Sequence, residues 1–291
     1  MQTPAAFEYE RATSVDGAIA SLERLGSEAR VIAGGHSLLP MMKLRLANPE
    51  HLIDINDLTE LSYIREQDGE IRIGAMTRHF DLLRSDVLAE HFPLFRDAET
   101  VIADPVVRNR GTIGGSLCHL DPSAELLNMA ALHDGVLEAA SRSGRREIRI
   151  ADWVSGIMTN ALEPGELLTG VTLNSWPTGH GYAFEEFARR HGDFAITAVS
   201  CLLTLDRNGT IGRAALCVSG LGPAPVRVVE AERLLVGARR GHDVFRAAAI
   251  AAQALEAMSD AYVTAAYRKH LARVLTYRAL ERASARAGGQ G

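Results

Sequence analysis

Residues 174–181, Asn-Ser-Trp-Pro-Thr-Gly-His-Gly, divide the chain into two stretches of different texture. That break constrains the fold more than any other feature. Before it, short apolar runs alternate with helical patterns. Ser14 precedes Ala18, Leu22 and Leu25 at helical spacing, which predicts a capped helix over 14–25. The run 29–35 predicts a buried strand ending in a turn. Residues 38–47 predict a helix with Pro40 in its first turn, and 51–57 predict another strand. Helix, strand, turn, helix, strand over 14–57 is an α/β unit. Residues 70–77 alternate like a strand, 79–103 predict helix interrupted by Pro93, and 124–134 predict a further helix. Strands are predicted at 135–140, 146–150 and 166–173.

After the break the pattern comes in blocks. Two apolar runs, 195–205 and 211–221, flank Asn208-Gly209, a strong hairpin signal. Helices are predicted over 224–237, 242–258 and 261–283. In the last, Val263, Tyr267, Leu271 and Val274 form one predicted buried stripe. Strands followed by helices suggest an α+β region, with 174–181 as the linker. The terminal run 286–291 is expected to fray.

Composition excludes several classes. A net charge of −5 argues against a nucleic-acid binder. Three scattered Cys without a Cys-x-x-Cys motif read as reduced thiols. They are too few for an iron–sulfur cluster of this chain's own. No apolar run reaches the roughly 18 residues of a membrane span, and no signal peptide is visible. The expectation is a soluble cytoplasmic protein with no transmembrane segment.

Two glycine pairs are the candidates for chemistry. Gly34-Gly35 follows Ala33 and precedes His36-Ser37; Gly114-Gly115 follows Thr112-Ile113 and precedes Ser116. Glycine lets backbone approach a ligand closely. Consecutive N–H groups form an anion nest, and a helix start adds its dipole. Two such loops can clamp one pyrophosphate. They can equally be strand-end turns, and spacing alone favours turns. Neither loop has the P-loop spacing. The Gly-x-Gly at 220–222 lacks a helix start, because Pro223 and Pro225 follow it.

Other groupings are weaker. Cys118, His119 and His133 lack zinc spacing, and no metal site is expected. Ser37 beside His36 is not a triad. Asp104, Asp121, Glu125 and Asp193 can bind ligand hydroxyls, or can cap helices and turns. Residues 187–195 mix two Arg, a His and an aromatic, as a ligand-facing loop or a solvated turn.

As a set, these segments resemble one family. Residues 31–55, 71–79, 102–126, 163–171 and 181–195 occur in the order found in the FAD-binding medium subunit of molybdenum hydroxylases. The likeness is greatest to the aerobic carbon monoxide dehydrogenase medium subunit, and the same module is a central domain in xanthine dehydrogenase. It covers the chain from Phe7 to about Arg286.

The resemblance implies an α+β protein. Residues 1–176 would form a vanillyl-alcohol-oxidase-like (PCMH-type) FAD-binding domain of two α/β subdomains, about 1–57 and 58–176. Residues 179–288 would form the family's C-terminal domain of antiparallel sheet and helical bundle. Ala33, Gly34, Gly35, His36, Ser37 and Leu38 would bind the FAD pyrophosphate through backbone N–H groups. Thr112, Ile113, Gly114, Gly115 and Ser116 would close on it from the other side. Glu125 would contact the ribityl or phosphate region, the strand at Leu167-Leu168 would lie near the flavin or adenine, and Arg190 to Phe194 would flank the isoalloxazine. Three positions depart from the family: Ser116 stands where Asn is common, Glu125 where Asp is common, and Phe194 where the carbon monoxide dehydrogenase relatives have Tyr. Electrons would arrive from a small [2Fe–2S] subunit fed by a large molybdopterin subunit, in a dimer of heterotrimers. They would leave through FAD to a quinone, NAD or oxygen. A stand-alone FAD oxidoreductase and a flavin-less assembly scaffold are the competing readings.

Overall fold

The computed structural model describes residues 3–288. Three strands open the chain. Glu8–Arg11 and Ala29–Ile32 flank His51–Asp54, all parallel. Parallel strands need crossover connections, and the helix Val15–Leu25 supplies the first, carrying the chain from one edge strand to the other. It starts where Ser14 Oγ accepts the Gly17 N–H at 3.0 Å. Its face carrying Ala18 and Ile19 is buried. The strand Glu8–Arg11 was not predicted; it alternates charged residues at an edge and has no apolar signature.

A five-stranded antiparallel sheet follows, in the order Ile64–Gln67, Glu70–Gly74, Leu167–Asn174, Val136–Ser141, Gly144–Arg149. The central strand Leu167–Asn174 is buried along most of its length. Its apolar run is that of a strand covered on both faces. The helical segment expected at 79–103 is three short helices, His79–Arg84, Asp86–His91 and Leu94–Val101. Ser85 breaks the first junction by turning extended and capping Leu88 N at 3.1 Å. Pro93 breaks the second, since a residue before proline avoids helical backbone. Met76, Ala140 and Leu167 from this region join Ile19, Ile53 and Leu58 in one core, so the first two sheets are fused by packing.

The last sheet is antiparallel: Gly181–Phe187, Thr197–Leu205, Ile211–Ser219 and Val226–Arg227. Asp206 Oδ1 accepts the N–H groups of Asn208 and Thr210 at 2.8 Å each and closes the hairpin. Val226–Arg227 was expected inside a helix. The prolines before it delay that helix to Val229–Leu235. His242–Gln253 and Ala265–Arg286 complete the helical layer. The predicted stripe on the last helix is out of phase. Val263 precedes the helix, Tyr267 is exposed, and the buried line runs Leu271, Leu275, Ala279 and Ala283. Packing on the sheet, through small residues, sets the phase there.

The segment 174–181 is not a loose linker. Trp176 and His180 are buried, and the Arg213 guanidinium lies 4.0 Å over the Trp176 ring. A Cβ on Gly181 would sit 1.9 Å from Ala283 O. Apolar bulk outweighs the loop-like composition. The helix Glu125–Leu132 is buried at every residue and lies against the last sheet. Asn128 Nδ2 donates to Ser219 Oγ at 3.0 Å, and Ser200 Oγ donates to Asn128 Oδ1. Arg227 adds an ion pair to Asp134 and a bond to Leu132 O. Arg286, expected to lie in a frayed end, pairs with Asp97 and donates to Tyr182 O. Residues 289–291 lie outside the described residues.

Candidate functional site

The strand Ala29–Ile32 runs into the first glycine pair, and every carbonyl but one from Ala33 to Ser37 is tied back into the protein. Ala33 O accepts Asn56 Nδ2 at 2.8 Å. Gly34 O lies 2.8 Å from His36 Nδ1, which must carry the proton to donate. Gly35 O and Ser37 O accept the N–H groups of Leu39 and Met41. Among the described residues, none accepts a hydrogen bond from the N–H groups of Gly34, Gly35, His36, Ser37 or Leu38. Five consecutive donors are thus left for something other than this chain. Gly35, at φ +74°, turns the loop through a conformation that side chains disfavour.

The second glycine pair is built differently. Thr112 Oγ1 accepts the Gly115 N–H at 3.0 Å and caps the helix Ile113–His119. The N–H groups of Ile113, Gly114 and Ser116 go to Thr77 O, Ala75 O and Thr112 O. From Ile113 to Ser116 this loop has spent its donors on its own fold, and it presents a capped helix start. Gly114 is needed for packing, because a Cβ would lie 2.6 Å from Ala75 O.

The two loops touch. A Cβ on Gly34 would sit 2.3 Å from Arg110 O and 2.8 Å from Gly111 Cα. Asn56 and Arg78 join them. Asn56 bridges Asp54 Oδ1 and Ala33 O through its Nδ2 and accepts Arg78 Nη2 at 2.8 Å. Arg78 Nη1 donates to Arg110 O. Beneath them His79 donates its backbone N–H to Gly111 O, and its Nδ1 lies 3.1 Å from both Glu99 oxygens. Glu99 is fully buried, which pushes its carboxyl up against the opposing pull of His79.

The remaining predicted residues are spread around this centre. Glu125 begins its helix buried; desolvation, with the charges of Glu186, Glu99 and Asp121, pushes its carboxyl up to about 8. Burial also pushes Glu186 up to about 7, and its Oε2 has no partner among the described residues. Leu168 packs its side chain in the core with Ile113 and Leu117. Arg190 is exposed and lies 3.5 Å from Asp193. Phe194 is 54% exposed at the end of that loop. Gly192 fixes the loop against the Ala103 turn, with a would-be Cβ 2.5 Å from Ala103 O. Asp104 and Asp121 cap Val107 and Ser123 N–H groups. The His133 ring is held neutral by burial, its basicity lowered to about 3. Asn56, Arg78, Arg110 and His79 were not singled out from sequence. Each sits within or beside a quoted motif, but a lone Asn or Arg there reads as a surface turn.

The comparisons with known proteins decide among the readings. The family described as the FAD binding domain in molybdopterin dehydrogenase matches residues 5–176. The CO dehydrogenase flavoprotein C-terminal domain matches residues 182–283. The chain belongs to the FAD-binding medium-subunit family of molybdenum hydroxylases. It is 40% identical to the carbon monoxide dehydrogenase medium chain of Afipia carboxidovorans, covering 98% of this chain and 99% of that one. The 6-hydroxypseudooxynicotine dehydrogenase complex subunit alpha of Paenarthrobacter nicotinovorans is 39% identical, over 98% and 96%. A reconstituted CO dehydrogenase structure from Oligotropha carboxidovorans superposes with a TM-score of 0.94 at 40% identity, over 98% and 99%. The medium-subunit fold is the PCMH-type FAD-binding fold with a sheet-and-helix C-terminal region. As a member, the chain is an FAD-binding, electron-transferring flavoprotein subunit.

Proposed function

We propose that the five free N–H groups of Gly34 to Leu38 seat the FAD pyrophosphate. The observation that carries this is the one-sided loop: all but one of its carbonyls are bonded inward and its donors are unmet. Such a nest suits a diphosphate and repels cations. Thr112 to Ser116 complete the cradle as a capped helix start rather than by free donors. Glu125, held protonated at neutral pH by burial, can donate to a phosphate or hydroxyl oxygen where a carboxylate would repel it. Phe194 and the Arg190 loop lie exposed, suited to covering one face of an isoalloxazine; Leu168 supports the second loop from beneath.

FAD, when bound, accepts electron pairs and releases them singly or together. The chain's part is to hold it and exclude water. Electrons would come from a [2Fe–2S] partner fed by a molybdopterin partner, in the dimer of heterotrimers that the family resemblance implies. They would go on to a quinone, NAD or oxygen. The FAD-binding unit would span 1–176 and the C-terminal unit 179–288. Three free thiols support a cytoplasmic location. Among the described residues no helix is long and apolar enough to cross a membrane.

Titration of the purified full chain with FAD tests the reading by flavin fluorescence and absorbance. Uptake of one FAD per chain supports it. Failure of both the free chain and the co-expressed complex to take up flavin overturns it.

A further inference from the structure

Arg78 and Arg110 converge on one neutral oxygen. Asn56 Oδ1 accepts Arg78 Nη2 at 2.8 Å and lies 3.5 Å from Arg110 Nη2. Among the described residues neither guanidinium has a carboxylate at ion-pair distance. Arg11, Arg146 and Arg227, by contrast, each do. Burial first, then the Arg110 charge, push the Arg78 pKa down, outweighing the opposing pull of Asp81 and Asp54. An amide oxygen is a weaker acceptor for a guanidinium than a carboxylate at contact distance, and the carboxylates of Asp54 and Asp81 offset the Arg78 charge only from beyond ion-pair distance.

The pair sits where the two glycine loops meet. Asn56 also holds Ala33 O, at the start of the row of free N–H groups. Arg78 also holds Arg110 O, the atom that packs against Gly34. The guanidiniums and the row of backbone donors are therefore joined through the Asn56 amide and the Arg110 carbonyl. We propose that Arg78 and Arg110 are a two-charge clamp for the diphosphate of FAD, with the Asn56 amide oxygen standing in for a phosphate oxygen until the cofactor enters. This rests on the flavin reading above and adds to it a charge requirement that the backbone nest alone does not have. Two guanidiniums match the two negative charges of a pyrophosphate, and the planar fork of each can pair two phosphate oxygens. Riboflavin, which has no phosphate, gains nothing from the pair.

The full-length apoprotein is titrated with FAD and with ADP at low and high ionic strength. Arg110→Gln and Arg78→Gln are expected to weaken both ligands about tenfold or more, the loss of one charge-assisted contact each. They should also flatten the salt dependence, because screening then has less to act on. Arg110→Lys, which keeps the charge, is expected to recover most of the affinity. Thermal melting shows that the fold is retained; Arg110 is exposed, so its variants carry the result if Arg78→Gln fails to fold. FAD and ADP affinities within about twofold of wild type, with unchanged salt dependence, overturn the clamp and leave the flavin reading intact. A wild-type chain that binds neither FAD nor ADP, alone or in its complex, overturns both.

Discussion

Gly34 lies so close to Arg110 that a single added carbon would stand 2.3 Å from the Arg110 carbonyl oxygen. The two glycine loops are pressed together at that point, about eighty residues apart in sequence. Gly34→Ala must push them apart. The expected result is a folded protein that binds FAD at least about a hundredfold more weakly, since a backbone contact has nowhere to yield. Flavin retention on desalting checks it.

Gly35 differs from its neighbour. A Cβ there would meet only the side chains of Leu39 and Ile32, at 3.1 Å and beyond, but φ is +74°. Gly35→Ala carries a strain of about 1–2 kcal/mol. Gly35→Val adds crowding and is expected to abolish FAD binding. His36→Ala loses the Nδ1 bond to Gly34 O, about 1 kcal/mol and a several-fold loss of affinity. A side-by-side FAD titration of the three variants ranks them.

Asn56→Ala removes the amide that joins Asp54, Ala33 and Arg78. Ala33 O and the Arg78 guanidinium lose a partner together. A stability loss of about 1–3 kcal/mol is expected, read as a lower urea midpoint with unchanged m-value.

Glu125 makes stability depend on pH. Its carboxyl is raised from 4.5 to about 8 in the folded chain. Between those values the folded state holds a proton that the unfolded chain releases, so stability falls as pH rises. The slope is at most about 1.4 kcal/mol per pH unit. Glu125→Gln is expected to melt above wild type at pH 8, with the gap closing as pH drops into the ordinary carboxylate range. Melting curves across pH decide it.

Phe194 is more than half exposed. Phe194→Ala is expected to leave the melting temperature unchanged and to shift the absorbance of the bound flavin, as a shielding ring is lost. An unaltered flavin spectrum would remove this loop from the site.

Much of this was legible in the residues. Ser14, Asn208-Gly209 and the alternation at 70–77 act locally, so their elements appear as the sequence predicts. The first glycine pair, taken alone, reads as a turn, because what distinguishes a nest is where its carbonyls go. Those partners, Asn56 and His36, are set by the fold and by one imidazole rotamer. The second pair is the opposite case: it resembles the first in sequence, yet Thr112 and Ala75 have consumed its donors. The phase of the last helix and the burial of Trp176 depend on surfaces brought from elsewhere in the chain.

The helix Glu125–Leu132 belongs by sequence to the first half and is gripped by the second. Asn128 finds its partners on Ser200 and Ser219, beyond the 174–181 break. Cleaving the chain at that break would strand an amide and two hydroxyls in newly bared apolar surface. Neither piece would be a viable product on its own. Calorimetry of the intact chain should accordingly record one heat-absorption peak, with the two halves melting as a single cooperative body.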